Sequence, residues 1–280
     1  MPTNEADAGG NQRGRIGLIV PSSNTTAEPE FRAALPASVS VHGARMSLES
    51  VTVDELDAMS DDATRAAELL GHAAVDAIAY ACTTGSLLHG PGFDAELEAT
   101  IREAAGVPAV ATARSVVRAL EFIDATRIAV VTPYTADLDE KEREFLEQRG
   151  FDVATIDGRG LERNTAIGAL DETEAFQQVV DHVGQCDSSG LDAIFVSCTN
   201  YRSLAAVDDL ESELGVPVVT SNGATLWDLA RVADFESESE SERENENENE
   251  RASTSASEAE TGSENRLTID GPGALFERER

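Results

Sequence analysis

Short apolar runs recur along the chain, and each stops at a cluster of small polar residues. Residues 16–20 (IGLIV) lead into Pro21-Ser-Ser-Asn-Thr-Thr26, and residues 77–81 (AIAYA) into Cys82-Thr-Thr-Gly-Ser86. Residues 128–131 (IAVV) lead toward Pro133-Tyr134-Thr135, and residues 193–197 (AIFVS) into Cys198-Thr-Asn-Tyr201. Such short continuous apolar runs suit strands covered by helices on both faces. Helical spacing fills the intervals. Residues 53–71 carry acids at the start and apolar positions at Leu56, Met59, Ala63, Ala67 and Leu70, which predicts one helix ending near Gly71. Residues 115–123, 137–149, 172–184, 203–214 and 224–233 read the same way. Strands alternating with helices predict an α/β fold with parallel sheets and right-handed crossovers.

The runs also repeat. Arg15-Ile-Gly-Leu-Ile-Val-Pro21 resembles Arg127-Ile-Ala-Val-Val-Thr-Pro133, at an offset of 112. The segment from Val75 to Cys82 resembles that from Leu191 to Cys198, at 116, and Gly106-Val-Pro-Ala-Val110 resembles Gly215-Val-Pro-Val-Val219, at 109. Three matches in the same order mean two copies of one α/β unit. They predict two pseudo-symmetric domains, over 14–120 and 121–221, with 222–235 placed to cross back onto the first. Residues 1–13 are expected to form a disordered tail. The Glu/Ser/Asn tract 236–266 lacks apolar residues apart from scattered Ala, and is expected to be a disordered acidic segment. In the closing segment 267–280, residues 267–276 (LTIDGPGALF) are apolar enough to dock as a short strand and turn.

Charge narrows the partners. The 280 residues hold 53 Asp and Glu against 21 Lys and Arg, a formal net charge of −32. The tract 236–266 contributes 11 Glu and 3 Arg, so the other 249 residues still carry −24. A surface this negative, with no basic stripe, argues against nucleic acid. No apolar run approaches the roughly 18 residues of a membrane span. The first 15 residues lack the apolar centre of a signal peptide, which gives a cytoplasmic expectation. Only Lys141 is a lysine; the other 20 basic residues are arginines. Many carboxylates with almost no lysine suggest a halophile's protein, kept soluble where salt screens self-repulsion.

Candidate chemistry sits at the strand ends, where parallel α/β sheets bind ligands. Cys82 and Cys198 occupy equivalent positions in the two copies. Pseudo-symmetry would set them face to face across an interdomain cleft. If each opens a helix, free N–H groups there would bind a carboxylate and lower the thiol pKa. Two thiols flanking a small carboxylic acid suit a nucleophile on one side and a proton donor on the other. Cys186 has no counterpart in the repeat. His42, His72, His89 and His182 form no spaced pair, so no metal site is expected. The glycine-containing loops lack phosphate-binding and dinucleotide-binding spacing.

The run Arg15-Ile-Gly-Leu-Ile-Val-Pro-Ser-Ser-Asn-Thr-Thr26, then Glu28-Pro-Glu30, with Cys82 and Cys198 at their strand ends, resembles the maleate cis-trans isomerase family. That family belongs to the aspartate/glutamate racemase superfamily, with arylmalonate decarboxylase and the ectoine-utilisation protein EutA as relatives. The resemblance covers about residues 14–235. It implies two Rossmann-like domains with the active site between them, no cofactor, and a homodimer or higher homo-oligomer. It implies Cys82 as the nucleophile toward an alkene carbon and Cys198 as the proton source. It also implies Asn24, Tyr134 and Asn164 as holders of the substrate carboxylates, helped by Ser23, Thr83, Thr84, Thr199 and Asn200. Two departures keep alternatives open. Thr-Thr-Gly-Ser after Cys82 is less bulky than the family's usual segment, and Cys82-Thr-Thr lacks the Asn-Thr that follows the first cysteine in amino-acid racemases. A racemase or decarboxylase of a related acid, an EutA-like role, or a small-acid-binding protein therefore stay in view.

Overall fold

The computed structural model describes residues 14–60, 62–185, 190–233, 269 and 271–278. The apolar runs become two sheets of four parallel strands. The first contains β1 (Gly14–Pro21), β2 (Val39–Met46), β3 (Ala77–Tyr80) and β4 (Ala109–Ala111), ordered β2-β1-β3-β4. The second contains β5 (Arg127–Thr132), β6 (Asp152–Gly158), β7 (Ala193–Val196) and β8 (Val218–Thr220), ordered β6-β5-β7-β8. The two orders are the same, as expected of a duplicated unit. Ile16 pairs with Ala77 in one sheet and Ile128 with Ala193 in the other. A bulge between Ile128 and Ala129 shifts the β5–β6 register. In each sheet the chain reverses its direction of growth between the first and third strands of the copy. The switch points therefore fall at the carboxyl ends of β1/β3 and β5/β7.

Alternation along the strands sorts the core into two layers. Ile16, Leu18 and Val20 join Ile128 and Val130 beneath α1 (Ala27–Ala34), α6 (Thr112–Phe122) and α11 (Ser221–Val232). Ile19, Ile78, Val131 and Ile194 face the opposite way. They pack with α2 (Val53–Ser60), α3 (Ala63–Gly71), α5 (Phe93–Ala105), α9 (Glu172–Gln185) and α10 (Val207–Leu214). Both layers draw side chains from both halves. α11 packs along α6 and reaches β3, β4 and α1 of the first half. A buried ion pair also crosses between halves: Arg149 Nη2, just after α7 (Ala136–Gln148), meets both oxygens of Asp94 at 2.6 and 2.7 Å. Asp94 is completely buried.

One local expectation changes. The helix expected over 53–71 is split into α2 and α3. Asp62 donates its N–H to Met59 O, accepts from Ala66 N–H to begin the second helix, and spends its carboxylate on Ser47 N–H. Short polar residues compete with the helix backbone in this way. In the closing segment, residues 271–278 form the expected turn and, after it, a short helix, α12 (Ala274–Glu277), while residues 267, 268 and 270 of the expected strand lie outside the described residues. Glu211 accepts from Ala274 N–H, and Asp208 from Gly273 N–H, so helix-start donors find partners on α10. Gly273 has φ +81°, and a Cβ there would lie 2.5 Å from Val207 Cγ1. Cys186, the tail 1–13 and the tract 236–266 lie outside the described residues.

Candidate active site

Both switch points open onto one narrow cleft. Asn24 follows β1, Cys82 to Thr84 follow β3, Tyr134 follows β5, and Cys198 to Asn200 follow β7. All of these line the cleft, with Asn164, Pro21, Leu48 and Val51. Nine of the ten residues singled out in the sequence thus share its wall. The tenth, Ser23, stands behind it, donating to Leu48 O and accepting from Asn164 Nδ2 at 2.9 Å. His89 lies elsewhere, with its ring 3.2 Å from Asp57 and edge-on to Phe93.

Carboxamides and hydroxyls from the two halves hold one another. Asn24 Oδ1 accepts from the N–H groups of Thr26 and Ala27, starting α1, while its Nδ2 donates to Thr199 Oγ1 at 3.1 Å. Thr199 Oγ1 donates onward to Ala81 O. Asn200 Oδ1 accepts from Thr25 N–H, and its Nδ2 donates to Asn164 O and Oδ1. Asn164 opens the short helix α8 (Asn164–Gly168). Gly168 comes so near that a Cβ would sit 2.7 Å from Thr25 Oγ1 and 2.9 Å from Asn200 Nδ2. The segment from Leu48 to Val51 lies across this region, tied by Val51 N–H to Glu162 O and Asn164 N–H to Glu49 O. Among the described residues, no charged side chain lines the cleft. Its wall is built for an anion recognised by neutral donors, which keep their strength where water is excluded.

Both thiols are buried. Cys82 is the N-cap of α4 (Thr83–Leu87), and Gly85 N–H and the Thr84 hydroxyl face its sulfur. A Cβ on Gly85 would lie 3.0 Å from that sulfur, 3.0 Å from the Tyr80 hydroxyl and 2.8 Å from Met59 Cε, so glycine makes the room. Cys198 opens no helix. It has φ +92°, a left-handed conformation uncommon outside glycine, and enters a turn. The Tyr134 hydroxyl faces its sulfur, and Asn200 N–H donates to it at 3.4 Å. The lowered thiol pKa expected from the sequence is reversed. Burial pushes Cys82 up to about 11 and Cys198 up to about 12, and the neighbouring donors offset only part of that. The two sulfurs also sense each other, a charge on Cys82 raising Cys198.

Three residues were not anticipated. Ser221, fully buried at the start of α11, accepts from Thr83 Oγ1 at 2.8 Å and from Cys198 N–H at 3.0 Å, so one hydroxyl joins the two cysteine loops. The signal was present: Thr220-Ser221-Asn222 follows the third repeated segment just as polar residues follow the others. Tyr80 turns a buried hydroxyl without a partner among the described residues toward the Cys82 region. Glu142, on α7, accepts from Ser197 Oγ at 2.6 Å. Its helical spacing reads as an ordinary acid on a surface helix.

A duplicated α/β unit whose strand ends bring two thiols into one cleft, walled by neutral donors, defines a two-cysteine fold for small carboxylic acids. The sequence profile of the arylmalonate decarboxylase family matches residues 16–244. The chain is 34% identical over 237 residues to maleate isomerase of Pseudomonas putida KT2440, covering 79% of this chain and 92% of that protein. It is 35% identical over 232 residues to maleate isomerase of Nocardia farcinica, covering 79% and 90%. Solved structures are similar as well, two of which bear on the site. Maleate isomerase Iso from P. putida S16, in a cysteine-to-alanine variant with maleate, superposes with a TM-score of 0.73 at 28% identity, over 77% of this chain and 90% of that one. A cysteine-to-serine mutant of N. farcinica maleate cis-trans isomerase, with a covalently bound succinylcysteine intermediate, gives 0.77 at 25% identity, over 95% and 98%. The chain belongs to the maleate isomerase and arylmalonate decarboxylase family.

Proposed function

We propose that the protein is a cofactor-independent cis-trans isomerase of a small dicarboxylate, converting maleate to fumarate. The observation that carries this is the pair of buried cysteines at equivalent strand ends, facing one cleft of neutral donors. Cys82 thiolate adds to one alkene carbon, and the π electrons take the proton of Cys198 at the other. The C=C bond becomes a single bond and turns. Cys198 thiolate then recovers the proton, the double bond re-forms, and Cys82 leaves as thiolate. Covalent addition thus replaces rotation about a double bond by rotation about a single one. Asn24, Tyr134 and Asn164 hold the carboxylates, with Ser23, Thr83, Thr84, Thr199 and Asn200 assisting. Making the Cys82 thiolate at pH 8 against a pKa of about 11 costs roughly 4 kcal/mol. Donors that tighten around bound substrate must offset that cost.

The same reading extends to a cytoplasmic setting in a halophile and to a homodimer or higher homo-oligomer. Acidic excess with a single lysine supports the halophile. A melting temperature that rises from low to multimolar KCl is the expected sign, and one that falls removes it. No helix among the described residues is long and apolar enough to cross a membrane. Proton NMR of maleate with wild type, Cys82→Ser and Cys198→Ser tests the reaction. Fumarate should form with wild type only. Near-normal turnover by Cys82→Ser would refute the nucleophile assignment.

A further inference from the structure

Glu142 is a buried acid that the reaction as written leaves unused. It is 1% exposed on the inward face of α7. Its Oε1 takes the Ser197 hydroxyl, and its Oε2 is buried with no hydrogen-bond partner among the described residues. Ser197 directly precedes Cys198, the residue with φ +92°. A non-glycine residue stays in that region only where its surroundings over-determine it. Ser197 is held by its N–H on Val131 O and by its hydroxyl on Glu142.

The Ser197 hydroxyl favours a negative charge on Glu142, but burial and the neighbouring acids oppose it. Asp139, one turn back on α7, is itself acidic, and Asp157 of β6 lies beyond it. Tyr134 after β5 and Cys198 after β7 are each made harder to ionise by Glu142. Cys82 and Tyr80 flank the other side of the cleft. α4, packed across α7, contributes Thr83 to Leu87 and no titratable group. Arg143, also on α7, donates to Val153 O, and its charge acts on Asp139. Burial pushes Glu142 up to about 8, so at neutral pH it holds its proton.

We propose that Glu142 is a positioning residue that works as a neutral acid. Its carboxyl fixes Ser197 and thereby the left-handed turn at Cys198, and its proton keeps a third negative charge away from a bound dicarboxylate. This rests on the dicarboxylate reading above. The test is calorimetric titration of succinate, which has both carboxylates and no alkene, from pH 6 to 9.5 at fixed salt. Wild type, Glu142→Gln and Ser197→Ala are compared, each checked for folding by circular dichroism. If only the protonated form binds, wild-type Kd rises about tenfold between pH 7 and pH 9. Glu142→Gln, which cannot ionise, should stay flat over that range. Ser197→Ala removes a hydrogen bond that favours the carboxylate, so its loss of affinity should begin at higher pH. An alkaline limb in Glu142→Gln matching wild type overturns the inference, as does a Ser197→Ala limb that stays in place or moves to lower pH. Failure of folded wild type to bind succinate at any pH overturns the dicarboxylate reading itself, and the inference with it.

Discussion

Ser221→Ala is the sharpest test of how the two cysteine loops are coupled. The wild-type hydroxyl accepts from Thr83 Oγ1 and from Cys198 N–H, and all three residues are buried. Alanine fits the same space and leaves both donors without that acceptor. A buried backbone N–H without a partner costs about 1–3 kcal/mol, and the lost hydroxyl pair adds about 0.5–1.5 kcal/mol. The expected destabilisation is therefore about 2–4 kcal/mol. A chain with this many ordered residues loses roughly 2–4 °C of Tm per kcal/mol, so a fall of about 5–15 °C is expected. Differential scanning calorimetry in a fixed high-salt buffer reads it. The double variant Thr83→Val/Ser221→Ala should be less destabilised than the sum of the single variants, because both remove one shared bond. Turnover should fall by more than the folded fraction accounts for, since Cys198 loses the bond that holds its N–H. A Tm within 2 °C of wild type, with strictly additive single variants, would refute the coupling.

The remaining expectations concern the thiol and the junction between the halves. Cys82 is pushed up to about 11, so its thiolate is scarce at neutral pH and grows as pH rises. Iodoacetamide labelling of Cys82, followed by mass spectrometry, should quicken about tenfold per pH unit from pH 7 to pH 10. A plateau by pH 8 would show a thiol ionised far more easily. Arg149→Met leaves the carboxylate of Asp94 buried without its guanidinium. Denaturant titration should show a loss of about 3–5 kcal/mol, largely recovered in Arg149→Met/Asp94→Leu. A loss below 1 kcal/mol would mean that Asp94 finds another partner.

The architecture was readable because the apolar runs encode strands and their polar ends encode a surface. Duplication makes Cys82 and Cys198 point to each other in the sequence alone. Asn24, Tyr134 and Asn164 needed the family resemblance as well, since nothing local marks a carboxamide as cleft-facing. The thiol pKa values were misjudged because the sequence shows a donor-rich loop but not how completely burial strips water from the sulfur. The loop at Cys198 also closes in a turn where a helix was expected. Ser221 escaped attention because its strand, β8, is only three residues long. Glu142 escaped because α7 carries acids on every face, and only packing shows which one is inward. The break near Asp62 reflects a side chain bonding to Ser47, a contact between an extended segment and a helix start that periodicity does not encode.

The carboxamides lining the cleft bond to one another and to the opposite half. A carboxylate that takes a hydrogen of Asn200 Nδ2 takes it from Asn164, and one that takes the engaged hydrogen of Asn24 Nδ2 takes it from Thr199. Binding at these hydrogens is therefore an exchange of partners, in which the bond gained is set against the one released. The Asn24–Thr199 clasp joins the two halves, so its exchange also loosens them at the moment when the held molecule has to turn about its central bond.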